Sequence, residues 1–276
     1  MDTDSSITLT LTVPWSDVKK VYDQIIDLAL TEIEIEGFRK GMAPRELALK
    51  KIDTGKVYGE VVNQILPKAY ADEVKKQNLT PIVSPKVQIV TAEENKDWVF
   101  KAMTAQKPDV DLGDYKAQIK TGKIWTPGSA KATPDEQGDA ESKSKRINDI
   151  ITKLLEVAKL NIPHMLIDDE ADRLLAMLID DIRAAGLTFE QYLQSKGLNA
   201  DQIKAQYHSQ AETTLKLEFI LGEIAQTENI SVTQEEIDAV IAKEKDEKSK
   251  ENLKKQSYLL ASVLRREKTL TYLANL

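Results

Sequence analysis

Apolar residues alternate with threonine over Ile7-Thr8-Leu9-Thr10-Leu11-Thr12-Val13, a period of two that predicts a half-buried β-strand ended by Pro14. From Ser16 the spacing lengthens. Val18, Val21, Tyr22, Ile25, Leu28, Ala29 and Ile33 fall at helical intervals, so a helix is expected over 16–34, with Ser16 capping its first turn. Gly37, Gly41 and Pro44 interrupt the pattern and predict an exposed loop over 36–44. A second helical passage over 45–76 carries Leu47, Leu49, Ile52, Val57, Val61, Ile65 and Val74. Gly55 and Pro67 are expected to divide or kink it. Two further strands follow, at 86–90 and 97–104, the second with Trp98, Phe100 and Ala102 on one face.

The pattern then lapses. Between Thr126 and Lys145 there is no large apolar side chain, so this stretch cannot offset its ordering entropy by burial and reads as a linker. From Ile147 the period is 3.6: Ile147, Ile150, Ile151, Leu154, Leu155 and Ala158 form one stripe, stopped by Asn161-Ile162-Pro163. A helix from Pro163 to Gly186 is expected to bury Ile167, Ala171, Leu174, Leu175, Leu178 and Ile182. Thr188 with Gln191 and Thr233 with Glu236 match the capping box and mark two more helix starts. The stretch 200–228 lacks proline and spans roughly 40 Å if helical throughout. Two final helices are expected over 234–247 and 250–274. The fold class is therefore α+β: a small amino-terminal α+β domain over 1–115, an extended linker over 116–146, and an all-α domain over 147–276.

Composition narrows the function. No cysteine is present, which removes disulfides, thiolate catalysis and Cys-type zinc sites. The chain carries 38 basic and 45 acidic residues, a net charge of −7, which repels polyphosphate at long range and argues against a nucleic-acid partner gripped by the whole surface, so any such contact must be local. Aromatics amount to only 5 %, poor material for a small-molecule pocket. The amino end is acidic where a secretory signal is basic, and no apolar run approaches the roughly 20 residues that span a bilayer, which points to the cytoplasm and to no membrane partner.

One segment departs from the anionic background. From Gly37 to Lys56 six basic residues, Arg39, Lys40, Arg45, Lys50, Lys51 and Lys56, face two acidic ones, a local +4. Glycines at 37 and 41 allow sharp turns that present Phe38 to a partner crevice and Arg39 and Lys40 to phosphate or carboxylate. The plain alternative is a solvated loop with Phe38 folded back on its own helices.

The octet Gly37-Phe38-Arg39-Lys40-Gly41-Met42-Ala43-Pro44 resembles the ribosome-binding motif of the trigger factor family, Gly-Phe-Arg-x-Gly-Lys-x-Pro, with Met42 standing where that family has lysine. Leu79-Thr80-Pro81-Ile82 extends the resemblance through the first domain. Asn161-Ile162-Pro163, Leu166-Ile167-Asp168 and Leu221-Gly222-Glu223-Ile224-Ala225 extend it through the second. The resemblance implies an amino-terminal ribosome-binding domain and an elongated, arm-bearing carboxy-terminal chaperone domain. It places ribosome contacts at Gly37, Phe38, Arg39, Lys40, Gly41, Met42, Pro44 and Arg45. It implies two partners, the exit region of the large ribosomal subunit (protein and rRNA) and nascent or unfolded polypeptides, and it admits a weak homodimer. The family's isomerase domain of the FK506-binding type has only the polar linker in its place, so prolyl isomerase activity is expected to be absent.

Other chemistry finds little support. No phosphate loop with the Gly-x-x-x-x-Gly-Lys-Ser/Thr pattern occurs, which argues for ATP independence and for no cofactor. His164 and His208 lie 44 residues apart without neighbouring Cys or His, and the pairs Asp168-Asp169 and Asp180-Asp181 diverge by about 100° on a helix, so no metal site and no catalytic residue is assigned. Met165, Met177, Leu187, Phe189, Tyr192 and Tyr258 are the candidates for a partly apolar cradle that holds unfolded segments, although packing in the core is the default for each. Two other readings stay open: a ribosome-independent holdase whose helical domain resembles SurA, and a prolyl isomerase of unrecognised type.

Overall fold

The computed structural model describes residues 5–121, 136–244 and 246–276. The chain divides into two compact units, Ser5–Lys107 and Pro108–Leu276. The first contains β1 (Ile7–Val13), α1 (Trp15–Glu32), α2 (Arg45–Leu49), α3 (Thr54–Lys76), β2 (Lys86–Thr91) and β3 (Trp98–Thr104). The strands form an antiparallel sheet in the order β1-β3-β2. The register pairs Leu9 with Ala102, Leu11 with Phe100 and Val13 with Trp98, which puts all six on one face. That face packs against Val18 and Ile26 of α1 and Val57, Val61 and Ile65 of α3. An aromatic series ties the layers together: Tyr22–Tyr58 at 5.1 Å, Tyr58–Trp98 at 5.7 Å and Trp98–Phe100 at 6.2 Å between ring centroids.

Local chemistry corrects three expectations in this unit. The first turn of α1 is not capped by Ser16. Pro14 flanks the helix, and the Trp15 N–H donates to Asp97 Oδ1 at 2.9 Å, so a carboxylate from the approach to β3 meets the free donor. The 45–76 passage breaks at 50–53 and not at Gly55 or Pro67, because Asp53 accepts from the N–H groups of Gly55 (3.0 Å) and Lys56 (3.3 Å) and starts α3 there; Pro67 lies inside α3. Finally, Leu28 does not face the core. It is 65 % exposed, and Ile26 is buried in its stead.

The second unit contains α4 (Tyr115–Thr121), α5 (Glu136–Val157), α6 (His164–Ala184), α7 (Phe189–Lys196), α8 (Ala200–Thr227), α9 (Gln234–Lys243), α10 (Glu247–Lys255) and α11 (Ser257–Ala274). The 28 residues of α8 extend about 42 Å at 1.5 Å each, and α5, α6 and α11 all pack along it. Ile150 and Leu154 of α5, Ile220, Leu221 and Ile224 of α8, and Leu273 of α11 form the core, closed by Tyr115 and Ile119 of α4. Both expected capping boxes are present with both arms, and Asn199 with Gln202 forms a third. Gly186, at φ 73°, ends α6 with its own N–H on Arg183 O and the Leu187 N–H on Ile182 O.

Much of the stretch read as extended linker, 116–146, is helical: α4 runs to Thr121 and α5 begins at Glu136. Residues 122–135 lie outside the described part. The segment Glu136–Lys145 carries no apolar stripe and includes Gly138, Asp139 and two serines, so its helix extends the amphipathic turns that follow, where Ile150 and Leu154 are buried. The closing region forms three helices, not two, because Asp246 accepts from the Ser249 N–H at 2.8 Å and starts α10 separately.

Glu228, just past α8, joins three elements. Its Oε1 accepts from Tyr115 OH at 2.9 Å and from Lys116 Nζ at 2.6 Å, and its Oε2 accepts from Tyr272 OH at 2.6 Å. The Lys116 bond above all, then those from the two phenols, pulls its pKa down from 4.5 to about 2. Its contribution to stability is therefore complete above pH 4.5 and is lost as the pH falls through about 2. Thermal unfolding followed by circular dichroism should show Glu228→Gln lowering Tm at neutral pH and flattening the loss of Tm between pH 4.5 and 2. An unchanged acid slope in the variant would remove Glu228 as its source.

Candidate functional site: the glycine-bounded basic loop

Helix α1 ends at Glu32 and α2 begins at Arg45, so the chain does leave helical geometry between them. Two successive reverse turns shape the connection. The Phe38 N–H donates to Ile35 O at 3.0 Å, with Gly37 third in that turn at φ 87°. The Met42 N–H donates to Arg39 O at 2.9 Å, with Gly41 third in that turn at φ 71°. A positive φ at this position is the requirement of a type II turn, and glycine meets it without strain. Phe38, Arg39 and Lys40 thus occupy the apex between two fixed corners.

Gly41 is constrained twice. Its N–H donates to Ile33 O at 3.1 Å, and a Cβ placed on it would stand 2.6 Å from the backbone oxygen of Thr31. The loop therefore rests on the last turn of α1, at a separation only a residue without a side chain permits. A Cβ on Gly37 would meet nothing within 4 Å.

The apex is exposed. Phe38 is 45 % accessible and Met42 76 %. Leu28 of α1 and Leu47 and Leu49 of α2 are exposed as well, with only Ala48 of α2 buried. Sequence reasoning missed this apolar surround, since all three leucines sit at helical spacing and carry no mark that distinguishes an exposed apolar position from a core one.

The cations are not equivalent. Lys40 Nζ pairs with Glu32, whose hydrogen bond and charge raise the lysine pKa, and Arg45 Nη1 pairs with Asp27 Oδ1 at 2.9 Å. Both pairs lie in water, where the net gain of an ion pair is small and a stronger anion can exchange with the carboxylate. The side chain of Arg39 makes no hydrogen bond or ion pair among the described residues, and neither do the side chains of Lys50, Lys51 and Lys56. Pro44 directly precedes α2 and is exposed.

The six cradle candidates are sorted by the structure into different environments. Met165 is buried, which corrects its assignment: Met165, Leu166 and Ile167 are buried in succession at the start of α6, where the helix end is enclosed on more than one side. Met177 is exposed on α6, with its Sδ 3.3 Å from Arg173 Nη1. Leu187, exposed, and Phe189 and Tyr192, half-buried, cluster at the α6–α7 turn. Tyr258 stands exposed on α11, which packs against α5, α8, α9 and α10, whereas α6 and α7 pack on one another and α6 on α8. His208 Nε2 lies 3.5 Å from Asp168 Oδ1, and Glu170 and Asp180 pair with Arg173 and Arg183.

Comparison with known proteins connects this arrangement to one family. The family model described as Bacterial trigger factor protein (TF) matches residues 2–126, and that described as Bacterial trigger factor protein (TF) C-terminus matches residues 132–275, leaving five residues between them. Trigger factor of Staphylococcus epidermidis is 35 % identical over 108 residues, which are 39 % of this chain and 25 % of that protein. Trigger factor of Staphylococcus aureus is 34 % identical over the same length. The match thus spans about a quarter of the length of these curated relatives. A solved structure described as "Promiscuous Substrate Recognition in Folding and Assembly Activities of the Trigger Factor Chaperone" has the same fold across 100 % of this chain and 98 % of its own, with a TM-score of 0.65 at 14 % identity.

The geometry orders two substitutions. Gly37→Ala meets only the positive-φ penalty of about 1–2 kcal/mol. Gly41→Ala meets the same penalty and the clash with Thr31 O, so its Tm should fall further. Differential scanning calorimetry that found equal losses, or the reverse order, would contradict the docking of this loop on α1.

Proposed function

Because this chain belongs to the bacterial trigger factor family, we propose that it is an ATP-independent chaperone that docks on the ribosome through the loop 37–45 and holds unfolded polypeptide until it folds. The observation that carries this reading is the apex itself: an accessible benzyl ring at Phe38 beside Arg39, whose side chain makes no ion pair among the described residues, set between two glycine turns on a chain of net charge −7. Such a tip meets a large anionic partner locally, with Arg39, Lys40 and Arg45 facing phosphate or carboxylate and Phe38 and Met42 filling a crevice. The partner surface in this reading is the exit region of the large subunit, in the cytoplasm, where emerging chains expose apolar segments.

Holding requires accessible apolar side chains, and the second unit supplies them at Met177, Leu187 and Tyr258. Weak contacts at several points retain an unfolded segment and release it once its apolar residues are buried in its own core. The action is non-catalytic in this reading, since the five residues between the two family matches leave no room for an isomerase domain of the FK506-binding type.

Co-sedimentation with 70S ribosomes tests the docking element. Wild type should pellet with ribosomes and do so less at higher salt, while the triple variant Phe38→Ala, Arg39→Ala, Lys40→Ala should lose at least about tenfold in affinity. Equal pelleting of both, insensitive to salt, would remove the loop from the mechanism. Met42→Lys, which restores the residue typical of the family, should tighten binding and steepen its salt dependence.

Chaperoning is tested apart from docking. The protein should suppress aggregation of a chemically unfolded model protein without nucleotide, and the triple variant should do so equally well. Failure of the wild type in this assay would sink the holding role even if ribosomes were bound.

A further inference from the structure

Two carboxylates of α1 already hold cations of the loop. At 100° per residue, Asp27, Thr31, Leu28 and Glu32 succeed one another around about 140° of the helix, so they share one face of its last turns. The loop lies along that face in matching order: Arg45 Nη1 pairs with Asp27 Oδ1 at 2.9 Å, Gly41 stands against the Thr31 carbonyl, and Lys40 Nζ pairs with Glu32. All four side chains of the two pairs are more than half exposed, so water and ions reach both contacts. Glu36 and Glu46, which bracket the same loop, are exposed too but make no ion pair among the described residues.

Neither pair is needed to shape the loop. Its turns are closed by backbone bonds, from the Phe38 N–H to Ile35 O, the Met42 N–H to Arg39 O and the Gly41 N–H to Ile33 O, and an ion pair in water adds little stability to them. What the pairs change is the state of the cations. Lys40 and Arg45 meet an anionic partner only after letting go of Glu32 and Asp27, and the freed carboxylates then stand beside the partner's anions and repel them. We propose that Asp27 and Glu32 are built-in competitors for the docking site: they occupy Arg45 and Lys40 in the free protein, and a partner docks fully when its own anions displace both. The inference rests on the docking reading and adds to it the regulation of that site. Competition lowers affinity and sets a threshold, because an isolated anion replaces one carboxylate at most, whereas a dense row of phosphates replaces the two together.

Co-sedimentation with 70S ribosomes measures the competition in the full chain. Asp27→Asn with Glu32→Gln should bind about tenfold more tightly than wild type at low salt, whereas Glu36→Gln with Glu46→Gln, an equal change of charge, should gain no more than about twofold. A mutant cycle isolates the part that belongs to the pairs: in a Lys40→Gln, Arg45→Gln background, adding Asp27→Asn and Glu32→Gln should give only the roughly twofold gain of general charge. Each single variant, Asp27→Asn or Glu32→Gln, should show part of the gain, so the test does not depend on the double variant folding. Equal gains from the two double variants, or a tenfold gain that survives loss of both cations, would overturn the proposal. So would weaker binding by Asp27→Asn with Glu32→Gln, the result expected if the pairs position the tip. The two readings fail separately: if wild type and the Phe38→Ala, Arg39→Ala, Lys40→Ala variant pellet alike, docking through the loop fails, and if they differ while the pair-specific gain is missing, only the competition fails.

Discussion

The contact on which the shape of the basic loop depends is made by a residue without a side chain. Gly41 lies against the backbone of Thr31 and donates its N–H to Ile33 O, which folds the loop back on the end of α1. Without that approach the Arg39–Met42 turn has no support, and Phe38 and Arg39 sample many directions at an entropic cost to any complex. With it, a short polar loop becomes a tip of fixed shape. The apolar core of the first unit, built on Trp98 and Phe100, serves this arrangement at a distance by holding α1 and α3 on the sheet.

Regular elements were legible in the sequence wherever one face had to be buried. The threonine alternation of β1, the Trp98–Phe100–Ala102 face and the two capping boxes each follow from a period or a local hydrogen bond that the chain carries with it. Errors arose where a distant group substitutes for a local one. Asp97 reaches the first turn of α1 from 82 residues away, and no local pattern could replace Ser16 with it. The start of α5 is hidden for another reason: Glu136–Lys145 has no apolar stripe and contains Gly138, Asp139 and two serines, so neither period nor propensity marks it as helix.

At the loop, the two glycines and the excess of basic residues were readable, but the pairing of the charges was not. Sequence composition treats Arg39, Lys40 and Arg45 alike, whereas the structure pairs two of them with Glu32 and Asp27 and gives the Arg39 side chain no ion pair among the described residues. Nor did spacing distinguish Leu28, Leu47 and Leu49, which stay exposed around the tip, from leucines that are buried. Exposure of an apolar residue at a helix end is decided by where neighbouring elements stop, and that is a tertiary fact.

The distribution of charge gives the remaining physical logic. A chain of net charge −7 is repelled by anionic partners at long range and held by them only where cations gather. Cations gather at the loop 37–56 and on α10 and α11, and both places also expose apolar side chains that the fold does not use. Salt screens the first kind of contact and not the second. A site that combines them therefore keeps part of its affinity when charge is screened. That combination is what the proposed holding role calls for, since weak contacts at several points let a segment go once its own apolar residues are buried.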